Sequence, residues 1–433
     1  MGLFRDIYKN DVDFAALALQ SRDFAKHFHP NKQLDFNDPE AFRQLTTSLL
    51  QVDFGLKVEL PEDRLCPPVP NRLNYIFWLQ DLLDSTARTV SDECVSGREI
   101  VGLDIGTGCC SIYPLLGCKV RPQWRFIATD IDDNNVRTAE HNVKLNNLNS
   151  RIRIMKTSPD DQLFQFDKFN LKNLDFTMCN PPFYSSHEEM SRSAEAKARV
   201  PSSVCTGTEV EMVTPGGEVA FVTRMIEESL QLQNKIQWYT SMLGKLSSVS
   251  VLVEALMKHE NHNYAVTEFV QGSKTKRWAV AWSWGDRRPS MSVSRGIPGF
   301  PKHLLPFPTD FIFTLSSTAI DTTSATMNAE LMSLAWYWTW DQGLSSGAGF
   351  ASENVWSRQA RRKMKFAGQE GRPMNIDKVP DQVALGVHIQ LKLTTTETQG
   401  PRDTQVLIRW IQGTDSVLFE SFCGMLKRKM EAK

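Results

Sequence analysis

A chain of 433 residues, 41% hydrophobic and 23% charged, is long enough to bury two or three cores. A formal net charge of −1 leaves no global field for nucleic acid or a membrane surface, so any nucleic-acid contact must come from local patches. No apolar stretch approaches a membrane span, and eight cysteines without a C-x-x-C pair argue against zinc and against a disulfide framework; no metal is expected, and the compartment is expected to be intracellular and reducing.

The first 60 residues read as helices joined by short turns. Phe14, Leu17, Ala18 and Phe24 recur at approximate helical spacing, and Asn37-Asp38-Pro39-Glu40 reads as an N-cap with proline just inside the next helix. Ala41, Leu45, Leu49 and Leu50 line one face of that helix. Arg5, Lys9 and Lys26 add local positive charge, which alone is a solvated helix face. A Pro-rich turn, Cys66-Pro67-Pro68-Val69-Pro70, then delivers Arg72 just ahead of a helix expected over 75–84. Two readings stay open for Arg72: a surface ion pair, or a fork of donors beside a cofactor carboxylate.

From Glu99 the pattern alternates strand and helix, which implies a parallel sheet. The first strand ends in Asp104-Ile105-Gly106-Thr107-Gly108. Its two glycines tolerate positive φ and let a ligand approach the backbone, and Asp104 sits at the strand end. The second strand, 124–129, ends in Asp130, at the distance after the glycines where an acidic residue binds ribose hydroxyls. A helix follows over 134–146, then a third strand over 152–155. The loop 157–163 should cross the cofactor's base, with Gln162 as its candidate contact.

The fourth strand runs from Asp175 into Asn180-Pro181-Pro182-Phe183. Two prolines remove two donors and fix two φ angles, so the strand must stop. The residue before a proline is held extended, which presents the Asn180 amide at the carboxyl end of the sheet, where open α/β folds bind ligands. An amide beside an aromatic can accept hydrogen bonds from a planar amine while Phe183 stacks on it. With the glycine turn and Asp130, this fits the nucleotide-binding half of an S-adenosylmethionine-dependent methyltransferase. Binding of NAD fits worse, because Ser111 stands where the third glycine of its fingerprint belongs.

Past the tetrapeptide, residues 184–207 form a long polar stretch with Arg192, Lys197 and Arg199, readable as a mobile substrate loop or as disorder. A helix is expected over 219–233, a strand over 236–243 ended by Lys245, a helix over 251–259, and strands over 265–271 and 278–284 with Lys274, Lys276 and Arg277 between them. Composition then shifts toward Pro, Arg, Ser and Gly, and 289–308 reads as a linker. The second unit, 309–433, carries strands over 311–315, 383–395 and 404–412, a stretch over 325–340 that could be strand or helix, and a helix over 416–430. Arg358, Arg361, Arg362 and Lys363 belong to its densest basic run, which reads as an RNA phosphate contact over a solvated face.

Asp104-Ile105-Gly106-Thr107-Gly108, Ile112-Tyr113-Pro114-Leu115-Leu116-Gly117 and Met178-Cys179-Asn180-Pro181-Pro182-Phe183 resemble the methyltransferase-like protein sixteen family of RNA adenosine N6-methyltransferases. So do Val69-Pro70-Asn71-Arg72-Leu73-Asn74-Tyr75-Ile76 and Arg277-Trp278-Ala279-Val280-Ala281-Trp282-Ser283, with further matches over most of residues 10–285. The resemblance implies a Rossmann-like class I methyltransferase domain over 61–288, preceded by a helical RNA-binding extension over 1–60. A kinase-associated-like α+β RNA-binding module would follow over 309–433.

It further implies S-adenosylmethionine as cofactor, held by Arg72, Gly106, Asp130 and Asn180, with Asn180 also facing the adenine. It implies structured RNA as partner, U6 small nuclear RNA and hairpins of the S-adenosylmethionine synthetase messenger, in a nuclear enzyme with room for a cytoplasmic pool. The candidate RNA contacts are then Arg5, Lys9, Arg192, Lys197, Arg199, Lys245 and Arg277 besides the basic run at Arg358, Arg361, Arg362 and Lys363. The family commonly has Glu where Asp130 stands and a more basic loop where 192–200 stands. Two rivals are weighed: a protein glutamine N5-methyltransferase, which uses Asn-Pro-Pro-aromatic for the same amine logic, and an RNA-binding scaffold with an idle methyltransferase domain.

Overall fold

The computed structural model describes residues 4–28, 34–35, 38–87, 98–195, 208–271, 275–316, 319–360, 362, 376–394 and 403–432. Two compact units are present. The first takes up residues 1–83, 95–285 and 296–305, the second residues 84–94, 286–295 and 306–433.

The first unit opens with helices Phe14–Gln20, Arg22–Ala25 and Pro39–Phe54. Asp38 caps the third by accepting from the Glu40 amide at 2.9 Å, and Gly55 ends it at φ 64°. The next helix, Val69–Ser85, starts well before the expected 75. Pro70 falls in its first turn, where a missing N–H costs nothing. Arg72 is therefore carried on the helix rather than on the turn before it.

The sheet runs β3-β2-β1-β4-β5-β7-β6-β8. Its strands are β1 (Ile100–Ile105), β2 (Trp124–Asp130), β3 (Ile152–Lys156), β4 (Leu174–Cys179), β5 (Ile236–Leu243), β6 (Tyr264–Gln271), β7 (Thr275–Trp282) and the two-residue β8 (Arg295–Gly296). Strands β1 to β5 pair in parallel, and β7 enters antiparallel between β5 and β6. This is the strand order of a class I methyltransferase. Every residue of β4 is buried, as expected for a parallel strand covered on both faces. Gly102 in β1 has a packing reason: a Cβ there would lie 2.2 Å from Phe176 Cζ, and Phe176 is wedged against Trp124 and Phe126.

The stretch expected as a linker, 289–308, is folded instead. It holds a short helix (Met291–Ser294), β8 and a 3₁₀ turn at Lys302–Leu304. Ile297, Phe300 and Leu304 are buried in the core of the first unit, and Leu304 O accepts from the Tyr264 hydroxyl at 3.1 Å. Its prolines and glycines mark turns between buried apolar residues, which composition alone does not separate from a linker.

The second unit is α+β. A five-stranded antiparallel sheet runs β10-β11-β12-β13-β9, built from β9 (Asp310–Leu315), β10 (Tyr337–Asp341), β11 (Ser346–Ala351), β12 (Leu385–Leu393) and β13 (Thr404–Gln412). Helices Ile320–Met332 and Ser416–Glu431 pack on one face, with Met327, Leu331, Phe422 and Leu426 against Val387, Ile389, Val406 and Ile408. The ambiguous stretch 325–340 thus divides into the end of a helix and most of β10. Sequence reasoning missed β11, which reads Ser-Gly-Ala-Gly-Phe-Ala. Its glycines admit the stacked Trp336 and Trp338: a Cβ on Gly349 would sit 2.2 Å from Trp336. Among the described residues no helix is long and apolar enough to cross a membrane.

Candidate active site

Strand order reverses between β1 and β4, so a crevice opens beyond their carboxyl ends. Ile105 is paired with Cys179, which brings Gly106 and Asn180 to the same rim. Gly106 and Gly108 stand at φ 72° and 65°, and nothing lies within 4 Å of where a Cβ on either would point. The glycine turn therefore lies open to a ligand. Asp130 holds it in shape: Oδ2 accepts from Gly108 N at 2.8 Å, while Oδ1 accepts from Asp132 N at 3.0 Å and from Asn135 Nδ2 at 3.4 Å. Burial raises the Asp130 carboxyl above its ordinary pKa.

Asp104 is wholly buried, and neither carboxylate oxygen has a hydrogen-bond partner among the described residues. Thr107 nearby favours ionisation, although its hydroxyl donates to Ser111 Oγ at 3.2 Å. Burial dominates and pushes Asp104 up to about 7, Asp130 adding repulsion and Arg72 opposing it. A lone buried carboxylate at a ligand cleft is short of a donor or a positive charge.

Asn180 is half-buried at the end of β4. Its Oδ1 accepts from Arg72 Nη1 at 3.2 Å, and the same nitrogen reaches the Tyr113 hydroxyl at 3.1 Å and Met242 Sδ at 3.0 Å. The Arg72 guanidinium lies 5.6 Å from the Tyr113 ring centroid. Arg72 is only 6% exposed, which removes the surface ion pair from its two readings. A cation on one lone pair of Oδ1 fixes which end of the amide is oxygen and leaves the second lone pair for another donor.

Pro181 is buried, and Pro182 and Phe183 are half-buried. The ring of Phe183 lies against Gly244, where a Cβ would come within 2.9 Å of its Cδ1. The Arg277 guanidinium stands 5.3 Å from the ring's centroid, and burial, then Arg72, lowers its pKa. Glu218, also buried, accepts from Gly244 N at 2.6 Å, Lys245 N at 3.2 Å and Ser248 Oγ at 2.6 Å.

Other expected contacts are more scattered. Gln162 is exposed on the loop after β3, where its carbonyl accepts from Gln165. Arg5 pairs with Asp81 and lies over Phe77, while Lys9 is exposed. Lys245 Nζ bonds Glu189 Oε1 at 2.7 Å; that bond holds Glu189 down to about 2 and raises Lys245. Arg358 and Arg362 are exposed on the second unit. The Arg192 side chain, Lys197, Arg199, Arg361 and Lys363 lie outside the described residues.

Residues 3–286 match a family model described as RNA methyltransferase. The U6 small nuclear RNA (adenine-(43)-N(6))-methyltransferase of Schizosaccharomyces pombe is 35% identical over 401 residues, 92% of this chain and 96% of that protein. The chain belongs to this family. It spans about half of the curated mouse RNA N(6)-adenosine-methyltransferase METTL16, 42% identical over 290 residues and 65% of this chain. Among solved structures, the METTL16 catalytic domain in complex with a MAT2A 3′UTR hairpin is 40% identical at a TM-score of 0.58, covering 65% of this chain and 94% of that one. The N-terminal domain of human METTL16 in complex with SAH is 38% identical at 0.53, covering 65% and 97%. The class I fold and the RNA methyltransferase family are therefore as the motifs implied.

Sequence reasoning did not single out Tyr113, Glu218 or Met242. Tyr113 stood inside a motif quoted for the resemblance, and Glu218 lies just ahead of the helix expected over 219–233.

Proposed function

We infer that this chain is an RNA adenosine N6-methyltransferase. It transfers a methyl group from S-adenosylmethionine to the exocyclic amine of an adenine extruded from structured RNA, with U6 small nuclear RNA as the first substrate and messenger hairpins as the second. The observation that carries this reading is the oxygen of half-buried Asn180, at the tip of β4, oriented by a buried arginine beside an open glycine turn.

The residues fit the cofactor. The open cradle at Gly106 and Gly108 accommodates a nucleoside close to the backbone, Asp130 offers carboxylate oxygens beside it, and the unpartnered Asp104 suits a cationic ligand. When bound, S-adenosylmethionine supplies a sulfonium-activated methyl electrophile. The chain's own work is then positional. The adenine amine is a poor nucleophile because its lone pair is delocalised into the ring. Asn180 Oδ1 and the Pro181 carbonyl would accept its two hydrogens and favour a nitrogen nearer tetrahedral, with its lone pair freed for attack. No strong base is needed if the proton leaves after transfer. Phe183 would hold the extruded base by stacking.

The test is methyl incorporation by the full chain into a U6 fragment, messenger-type hairpins and a Gly-Gly-Gln peptide, read by mass analysis of the digested product. N6-methyladenosine in RNA is expected. Label in the peptide alone would install the glutamine methyltransferase instead, and no label with no S-adenosylhomocysteine binding would leave an idle scaffold.

A further inference from the structure

Residues 208–214 lie between the two halves of the site and touch both. On the base side, this strip pairs with the residue after the tetrapeptide: Tyr184 N donates to Met212 O at 3.1 Å and Thr214 N to Tyr184 O at 3.0 Å. On the cofactor side, Glu211 reaches out of its short helix, Glu209–Met212. Its Oε2 accepts from Thr208 N at 2.9 Å, from Thr208 Oγ1 at 3.2 Å and from Leu65 N at 3.0 Å. Its Oε1 accepts from Asn135 Nδ2 at 3.4 Å, and the same Asn135 nitrogen reaches Asp130 Oδ1 at 3.4 Å. Arg64 supports the junction, with Nη1 on Thr208 Oγ1 at 3.2 Å and Nη2 at 3.3 Å from Asp132.

A capping box would account for the bonds to Thr208 alone. It does not account for Leu65 or Asn135, which come from distant parts of the chain. One carboxylate thus joins the segment leading into the Arg72 helix, the Asp130 wall and the strip holding Tyr184. A carboxylate with several donors fixes all of them, because charge-assisted bonds are stronger and losing the acceptor leaves every donor short.

We propose that Glu211 is a positioning residue that couples the two halves of the site, acting on the cofactor through Asn135 and Asp130 and on the base through the strip bonded to Tyr184. The proposal rests on the methyltransferase reading above. It makes the order of the strip and the shape of the glycine turn one cooperative feature, so a change at Glu211 should be felt in cofactor affinity although its side chain is a residue removed from Asp130.

A mutant cycle on the full chain tests it. S-adenosylhomocysteine is titrated by calorimetry into wild type, Glu211→Ala, Glu211→Gln, Asn135→Ala and the double variant Glu211→Ala/Asn135→Ala, and each melting temperature is recorded. Glu211→Ala and Asn135→Ala are each expected to weaken binding about tenfold, the worth of one charge-assisted bond, and the double variant no more than the worse single. Glu211→Gln keeps an acceptor and is expected to recover binding to within about threefold of wild type. In steady state, Glu211→Gln should raise KM for S-adenosylmethionine more than it lowers kcat. Losses that multiply in the double variant, or unchanged binding in a Glu211→Ala protein that merely melts lower, overturn the coupling. If Glu211→Ala does not fold, the cycle is closed with Glu211→Gln and read the same way. Wild-type protein that fails to bind S-adenosylhomocysteine faults the parent reading, which the variants alone cannot do.

Discussion

At the scale of single residues, two side chains divide the work of the cleft. Asn180 presents an oxygen whose orientation Arg72 sets, so Asn180→Ala removes the acceptor without opening the core. Arg72 keeps Tyr113 and Met242 as partners in that variant. Methylation should fall at least ~10³-fold, the scale of losing a pre-organised polar group, while melting shifts by no more than about 2 °C. Activity surviving at wild-type level would remove Asn180 from the chemistry. Asp104 makes a different prediction. Its folded-state pKa of about 7 stands above the ordinary 3.8, so the folded chain holds the proton more tightly than the unfolded one. That contribution to stability is full below the ordinary value and is lost as pH rises toward 7. Asn cannot ionise, so the melting advantage of Asp104→Asn should grow between about pH 4 and about pH 7, by several degrees, and level off above that. Scanning fluorimetry across that range checks it, and a difference independent of pH would reject the burial argument. The same variant should bind S-adenosylhomocysteine more weakly, setting ligand affinity against stability at one atom pair. Both residues were legible in the sequence because strand ends, prolines and glycines are local signals. What Asp104 lacks was not legible, since an unpartnered oxygen is a property of everything packed around it.

Elements of this chain are stabilised by residues far from them in sequence, and this is where a linear reading ran out. Helix Leu246–Lys258 has Lys245 at its N-cap and no side-chain cap of its own. The carboxylate comes instead from Glu218 on helix Gly217–Leu232, which accepts from Gly244 N, Lys245 N and Ser248 Oγ. A negative group there satisfies orphan donors and meets the positive end of the helix dipole. Because Gly244 is also the surface on which Phe183 lies, the cap and the stacking platform share one support. Glu218→Ala should cost about 2–4 kcal/mol, from buried donors left without an acceptor, and should slow single-turnover methylation as well. Glu218→Gln should restore part of the stability. Melting and rate measured on the same preparations decide it: a stability loss with an unchanged rate would separate the cap from Phe183. The sequence placed helices Asp133–Leu145, Gly217–Leu232 and Ser416–Glu431 to within two residues, but it started helix Leu246–Lys258 late, read helix His187–Glu195 as loop, missed β11 and shortened the Arg72 helix. Tertiary packing, tryptophans over glycines, decided β11, whereas the Arg72 helix turned on a local rule, a proline tolerated in a helix's first turn.

For the whole molecule, the boundary of the catalytic unit is the point on which sequence and structure part. Composition would cut the chain at residue 288, yet the first unit takes back residues 296–305. Ile297, Phe300 and Leu304 fill its core beside Val249, Leu252, Leu256 and Tyr264. Three buried apolar side chains stabilise by roughly 5 kcal/mol together, and their removal also exposes the surface they cover. A fragment of residues 1–288 should therefore melt roughly 10 °C below one of residues 1–305 and aggregate sooner. Every residue of the cleft lies within the first unit, so the longer fragment should bind S-adenosylhomocysteine within about twofold of the full chain. RNA affinity should separate from cofactor affinity if the exposed Arg358 and Arg362 reach phosphates. The full chain should then hold a structured RNA more tightly than residues 1–305 and lose that advantage steeply with salt. Equal RNA affinity for the two at low salt would take the second unit out of RNA binding while leaving the cleft as described. Equal melting of the two fragments would mean that the returning segment adds nothing to the core it enters.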